Sequence, residues 1–399
     1  MNDIFRGMLE LKAEHMLASV GEGTPFFFAS PEETMLAEGH FATVPAAANL
    51  QELSALVEAE LQKAVEAGHP DPVVVGAIPF DVGQPASLII PEKVLRAGPL
   101  SRYVELPGLS AKTEVEAACE VRPVPTPQVY AAGVQEAVER IRQGELSKVV
   151  LARTLELEAA QPIDLQGLLR KLAQSNSRGY TFAVSINDRQ GALVGASPEL
   201  LLSRHGNQIR SNPLAGSAAR TRDLQENMRR SQALLLSEKD LHEHKMVADA
   251  VVQALTPYCR SLYAPAGPSL VNTETMLHLA SDIRGELADP SVSSLQLASS
   301  MHPTPAVCGY PFAAAREMIA EIEPFERGLY AGMVGWCDAH GNGEWVVTLR
   351  CAEVSGKQVR LFAGAGVVAD SDPAHELAET GAKFRTMLNA LGIANVGEA

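Results

Sequence analysis

The stretch that most constrains the fold spans residues 329–383, where predicted strands and tight turns lead into a helix. Within it, residues 345–351 alternate between two faces, with Trp345 and Cys351 on the same one. The sequences DAHGNG and SGK, which flank this segment, are typical of turns. The pattern therefore predicts three antiparallel strands joined as a meander.

The end of the same stretch predicts an amphipathic helix. Asp372 can cap it, and Pro373 suits its first position. Glu376, Glu379 and Lys383 then fall at i, i+3 and i+7, on neighbouring positions of one helix face. We expect these two carboxylates and the ammonium to lie together.

Two further features of this stretch indicate an anionic ligand. Arg350 lies among apolar neighbours on a predicted strand, where a cation is costly unless an anion meets it. Residues 363–366, AGAG, lack bulky side chains, so their backbone N–H groups could approach an anion closely. Together with the carboxylates of the helix, these features suit a small polyanion held partly by a hard cation.

Composition limits the class of protein. A chain of 399 residues that is 46% apolar can bury a large core, in one large domain or two. The formal charge of −15 and the lack of a Lys/Arg cluster argue against nucleic acid as a partner. Five cysteines without CxxC spacing predict neither a zinc site nor disulfides. With no apolar run long enough for a membrane and no signal peptide, we expect a cytoplasmic protein.

Other polar residues lie at the ends of predicted elements. Lys148 begins the strand SKVVLAR, and Glu199 lies where a strand enters the kink of SPELLLS. Asp240 and Glu243 are one turn apart on the helical stretch 224–255. Such residues are commonly solvated surface groups, so the pattern by itself leaves their role open.

Strands and helices mix along the chain without strict alternation. This order predicts an α+β fold, a layered sandwich of mixed, largely antiparallel β-sheets flanked by helices. Residues 95–127 are rich in proline and charge, which indicates a connection. We therefore expect an N-terminal portion, residues 1–115, to pack on a catalytic portion, residues 116–399, as one compact structural domain.

Two long segments carry a family resemblance. GWCDAHGNGEWVVTLRCAEV followed by QVRLFAGAGVV is very similar to the siderophore-pathway isochorismate synthases, which are chorismate-utilising enzymes. The similarity covers nearly the whole chain, including FFFASPEETMLAEG and VVVGAIPFDVGQPASLIIPE. It implies the chorismate-binding fold of anthranilate synthase component I. It also implies Mg²⁺-dependent, reversible conversion of chorismate to isochorismate, by water attack at C2 and loss of the C4 hydroxyl.

The resemblance assigns the chemistry residue by residue. Lys148 matches the general base that activates water, and Glu199 matches the general acid that protonates the leaving hydroxyl. Glu243 and Glu379 match the ligands of Mg²⁺. Glu376 matches a position that binds the metal directly or through water.

The resemblance also assigns substrate-binding positions, which are Gly216, Ser217, His278, Arg350, Gly364 and Lys383. Without it, Gly216 and Ser217 would indicate a plain turn, and His278 a hydrogen-bonded core histidine. Ala215 stands where aminodeoxychorismate synthases carry a lysine nucleophile. Anthranilate synthases lack the lysine that Lys148 matches.

Several alternatives stay open at this point. A salicylate synthase shares the site but goes on to eliminate pyruvate, and a menaquinone-pathway isochorismate synthase performs identical chemistry. A non-catalytic chorismate-binding protein on the same fold is a hypothesis from another class. For the isochorismate synthase we expect a monomer that feeds 2,3-dihydroxybenzoate or salicylate synthesis, with transient contact to a downstream isochorismatase.

Overall fold

The computed structural model describes residues 12–21, 23–100, 120–176, 178–186 and 191–393. The helices are α1 Ala13–Ser19, α2 Leu50–Glu66, α3 Pro127–Arg142, α4 Leu165–Ser175, α5 Leu224–Leu236, α6 Glu238–Leu255, α7 Ser294–Met301, α8 Phe312–Ile322 and α9 Pro373–Leu391. A 3₁₀ turn, Thr256–Tyr258, follows α6.

The strands alternate with these helices irregularly. They are β1 Phe26–Ala29, β2 Thr34–Glu38, β3 Ala42–Thr43, β4 Val73–Ile78, β5 Ser87–Ile90, β6 Lys93–Ala97, β7 Glu120–Val124, β8 Lys148–Glu158, β9 Tyr180–Ile186, β10 Gly191–Ser197, β11 Leu200–His205, β12 Gln208–Asn212, β13 Leu214–Ala219, β14 Cys259–Tyr263, β15 Ser269–Asn272, β16 Met276–Ala280, β17 Ile283–Leu287, β18 Gly309–Tyr310, β19 Met333–Asp338, β20 Gly343–Val347, β21 Cys351–Ser355 and β22 Gln358–Val367.

The strands form three sheets, and every pairing among the described residues is antiparallel. The first sheet has the order β18-β8-β22-β21-β10-β9-β1-β2-β6, with β7 also paired to β8. The second has the order β14-β17-β12-β11-β20-β19-β4-β5-β3. The small third sheet is β13-β16-β15.

The two large sheets pack on each other, because residues of both join one apolar cluster. Strand β1 shows how the sequence produces this: Phe26 and Phe28 face that cluster, whereas Phe27 faces a second cluster beneath α1. Helices α4 and α9 cover the outer face of the first sheet, and α2 and α7 pack against the second. The predicted layered α+β sandwich is therefore confirmed.

The predicted three-stranded meander is wrong. Strand β20 ends at Val347 and β21 begins at Cys351, and the two belong to different sheets. Between them Arg350 adopts φ +48°, a left-handed conformation that interrupts a strand. The chain thus forms one hairpin, β19–β20, in the second sheet and another, β21–β22, in the first. The alternating pattern continued through residues 348–350, so it could not reveal this crossing.

Capping residues set the beginnings of helices α6 and α9. The helical stretch 224–255 divides at Ser237, whose hydroxyl accepts from Asp240 N–H and so begins α6. Asp372 caps α9 as predicted, accepting from the N–H groups of Ala374 and His375. No helix among the described residues has the length and apolarity to cross a membrane.

The N-terminal strands are shared between the large sheets. Strands β1, β2 and β6 belong to the first sheet, and β3, β4 and β5 to the second. Much of the predicted connection at 95–127, namely residues 101–119, lies outside the described residues. We propose that the N-terminal and catalytic portions form one structural unit, because both sheets require both portions.

Candidate active site

A cavity of about 60 Å³ lies where β8 and β22 meet the third sheet and helices α6 and α9. Its wall includes most of the predicted site residues, which are Glu199, Gly216, Ser217, Glu243, His278, Arg350, Gly364, Glu379 and Lys383. An open groove of about 890 Å³ at the ends of β8, β21 and β22 contains none of them. We place the site in the smaller cavity, because only there do the predicted acids and cations converge.

Lys148 begins β8 and is fully buried. Its Nζ forms an ion pair with Glu243 Oε1 of α6 at a distance of 2.8 Å. The same Nζ makes no well-angled hydrogen bond to any residue that the structure describes. Gly366 of β22 faces both side chains: a Cβ there would overlap Glu243 Oε1 and lie 3.1 Å from Lys148 Cε. The glycine therefore leaves room for the ion pair.

We expect Gly366→Ala to lower kcat about tenfold or more without unfolding the protein, because misplacing a reacting group by about 1 Å can cost this much. The added methyl group would meet flexible side-chain ends, Glu243 Oε1 and Lys148 Cε, which can move aside. Steady-state kinetics and thermal unfolding check the prediction. Gly267→Ala is the matched control, because no atom lies within 4 Å of its added Cβ. Wild-type kcat in Gly366→Ala would contradict it.

Glu199 stands between β10 and β11, directly after the kink at Pro198. It is 2% exposed, and burial raises its pKa to about 7. The Leu214 N–H and the charge of Lys148 lower the pKa but do not cancel the effect of burial. Near neutral pH a large share of the carboxyl groups therefore carry a proton that they can donate.

One wall of the cavity is cationic. Arg350 Nη2 donates to His278 Nε2 at 3.3 Å, and Lys383 Nζ donates to Gly364 O at 2.8 Å. Burial lowers the pKa of His278 well below its ordinary value, and the charges of Arg350 and Lys383 lower it further. His278 is therefore neutral and accepts from Arg350. Cations held at the wall of a cavity in this way suit the carboxylates of a small anion.

Each predicted metal ligand faces a lysine. The pairs are Glu243 with Lys148 at 2.8 Å, Glu376 with Lys239 at 2.6 Å, and Glu379 with Lys383 at 2.6 Å. Across the described ranges, no three His, Cys, Asp or Glu side chains are grouped as ligands of one metal ion. Glu376, which does not line the cavity, is 1% exposed. The helical spacing predicted Lys383 beside Glu379, but the sequence patterns did not predict Lys148 and Lys239 as partners of Glu243 and Glu376.

The donor set nevertheless fits Mg²⁺. Glu243 and Glu379 supply carboxylate oxygens to one cavity, and Mg²⁺ usually takes one or two carboxylates together with waters and an anionic substrate group. Burial raises the pKa of Glu376, and repulsion from Glu379 raises it further. These two carboxylates therefore lie close enough that a bound cation would stabilise both.

Sequence reasoning missed His244, which follows Glu243 on α6. Its Nδ1 lies 3.2 Å from Ala215 O and its Nε2 2.8 Å from Ser281 Oγ, so it anchors the beginning of β13, just before Gly216. A histidine on a helix gives no distinctive signal. Ser217, which follows Gly216 in β13, has a buried hydroxyl near Glu379 that makes no well-angled hydrogen bond within the described part of the chain. That hydroxyl is available to a ligand.

The predicted AGAG segment is part of β22 and pairs with β8. Gly364 pairs with Ala152, and a Cβ on it would lie 2.8 Å from Tyr330 Oη. The small residues thus make room for side chains at the wall of the cavity. Tyr330 was not singled out from the sequence, because an aromatic residue before a strand is usually core.

Comparison with known proteins identifies the family. Residues 104–392 match the family model described as "Chorismate binding enzyme". The chain is 50% identical to isochorismate synthase DhbC of Bacillus subtilis, over 97% of this chain and 98% of that protein. It is 45% identical to the vibriobactin-specific isochorismate synthase of Vibrio cholerae, over 96% and 95%.

Solved structures agree with the sequence comparisons. A Bacillus anthracis protein, described as a candidate 2,3-dihydroxybenzoate-specific isochorismate synthase, superposes with a TM-score of 0.91 at 48% identity. That match covers 96% of this chain and 100% of the solved chain. The chain belongs to the chorismate-binding enzyme family and, within it, to the isochorismate synthases of siderophore pathways.

Proposed function

We propose that the protein converts chorismate to isochorismate reversibly and with bound Mg²⁺. The observation that carries the proposal is that two buried titratable groups, a base and an acid, meet at one cavity with a cationic wall: Glu199 lines the cavity, and Lys148 forms an ion pair with Glu243, which also lines it. A binding protein would gain nothing from this costly pair of buried titratable groups.

The roles follow from the chemistry of the exchange. Lys148, once neutral, takes a proton from water as the water oxygen bonds to C2 of the ring. The ring double bonds shift and the C4–O bond breaks. Glu199 gives its proton to the departing hydroxyl, which leaves as water. In the reverse direction the two residues exchange roles.

Glu243 and Glu379 would hold the magnesium ion, with Glu376 binding directly or through water. When bound, the ion neutralises and orients the ring carboxylate. Arg350 and Lys383 are placed to attract the substrate carboxylates, and His278 keeps the guanidinium of Arg350 in position through their hydrogen bond. Gly216, Ser217 and Gly364 line the rest of the substrate site.

The location and the pathway are also proposals. We propose that the protein works in the cytoplasm as a monomer and supplies isochorismate for 2,3-dihydroxybenzoate, in transient contact with an isochorismatase. The support is its likeness to the DhbC and vibriobactin-specific enzymes.

Chorismate consumption, coupled to an isochorismatase that cleaves only the isomer, tests the proposal. We expect EDTA to abolish activity and Mg²⁺ to restore it. Glu243→Ala and Glu379→Ala should each lower activity about 100-fold or more while remaining folded, because each removes a ligand of the ion. Asp249→Ala, an exposed acid on the same helix α6 as Glu243, should stay active. Full activity in EDTA, or in Glu243→Ala, would contradict the metal assignment.

A further inference from the structure

Lys239, in the first turn of α6, joins that helix to α9. Its Nζ lies 2.6 Å from Glu376 Oε1, and the Glu376 side chain is almost completely buried. The Lys239 side chain is 29% exposed, whereas those of Lys148 and Lys383 are 0% and 14% exposed. Of the three lysines that face the predicted metal ligands, Lys239 thus has the easiest route to solvent.

The charges around Lys239 are those of the predicted cation site. Burial lowers the pKa of Lys239, but attraction from Glu376, Glu243 and Glu379 outweighs this effect and leaves the pKa raised. The ammonium therefore lies in the field of the same three carboxylates that would hold Mg²⁺. A second cation brought to these carboxylates would repel it at short range.

We propose that Lys239 competes internally with the metal: its ammonium holds Glu376 in the metal-free protein and swings into solvent when Mg²⁺ binds. Lys239 then sets the affinity for the metal and touches neither the substrate nor the reacting atoms. The inference rests on the magnesium site of the proposed function. It goes beyond that function because it names the group that the ion must displace.

Calorimetric titration with MgCl₂ in the absence of chorismate tests this competition. We expect Lys239→Met to bind Mg²⁺ at least about tenfold more tightly than the wild type, because a unit charge a few ångströms from a divalent ion costs at least this much. Methionine keeps an unbranched apolar stem of similar length. Lys245→Met is the matched control: it lies on the same helix but pairs with exposed Asp249, so its affinity should not change.

Varying the ionic strength distinguishes direct competition between Lys239 and Mg²⁺ at short range from a long-range electrostatic effect of Lys239. In about 0.5 M KCl, where the screening length is roughly 4 Å, the ratio of wild-type to Lys239→Met dissociation constants should persist. Thermal unfolding gives an independent readout, because tighter binding produces a larger Mg²⁺-induced rise in Tm. Lys239→Gln serves as a second variant if Lys239→Met proves unfolded by circular dichroism.

The possible results distinguish a failure of the Lys239 inference from a failure of the proposed function. Equal or weaker Mg²⁺ binding by Lys239→Met, or a gain that disappears in high salt, would overturn the inference and leave the proposed function standing. Absence of Mg²⁺ binding by every protein, wild type included, would overturn both. A tenfold gain confined to the Lys239 variants would support the competition.

Discussion

Lys148→Ala is expected to lower kcat about 10²–10⁴-fold in both directions, which is the usual contribution of a positioned general base or acid. The side chain is fully buried at the start of β8, so bulk solvent does not supply a base in its place. The values of kcat/KM in the two directions must fall by the same factor, because their ratio equals the equilibrium constant between chorismate and isochorismate, which does not depend on the enzyme. Steady-state assays begun from each isomer measure the two losses.

Two controls separate lost chemistry from a disturbed site. Lys148 also pairs with Glu243, so Mg²⁺ affinity is measured in the same variant by calorimetry. Added small primary amines should restore part of the rate if the missing group is a base. A loss below tenfold would assign the proton to another residue; His278 would be a weak base in that role, because burial holds its pKa well below the ordinary value.

Glu199→Gln is expected to lower kcat by a similar factor, about 10²–10⁴, because glutamine cannot protonate the departing hydroxyl. Glutamine keeps the size and hydrogen-bonding capacity of the protonated acid, so substrate binding should change little. The pH dependence of the activity gives a more specific prediction than the loss of kcat. Burial raises the pKa of Glu199 to about 7, and the protonated form is the active one in the chorismate direction.

The direction of this pH dependence follows from the protonated state that Glu199 must have to act as an acid. In the wild type, kcat/KM for chorismate should be highest below pH 7 on account of Glu199 and should fall as the pH rises through about 7. Glu199→Gln should remove this alkaline limb from the residual activity. The profile is measured with Mg²⁺ saturating at every pH. Persistence of the same limb in Glu199→Gln would show that another acid protonates the leaving group.

Local patterns predicted the elements well where one residue type dictates the backbone. Asp372 and Pro373 correctly marked the beginning of α9, and the run after Lys148 marked β8. The crossing at Arg350 could not be predicted, because strand periodicity describes which face a side chain occupies and not which sheet a strand joins. Only tertiary packing makes residues 348–350 leave one sheet for the other.

The site was predictable in its residues but only partly in their pairing. The family resemblance singled out Glu243, Glu376 and Glu379 by position. The Glu379–Lys383 pair is an i,i+4 contact within α9 and followed from the helical spacing, whereas the Glu243–Lys148 and Glu376–Lys239 pairs join elements distant in sequence and leave no local pattern. The raised pKa of Glu199 likewise arises from burial, which a motif does not report.

The central claim is that a water oxygen enters at C2 while the C4 hydroxyl leaves and the enolpyruvyl group stays attached. Turnover of chorismate with Mg²⁺ in water enriched in oxygen-18, followed by chromatography and mass spectrometry, tests it most directly. We predict isochorismate that carries one heavy oxygen at C2, with no pyruvate released. Unlabelled isochorismate, or salicylate with an equal amount of pyruvate, would contradict the account.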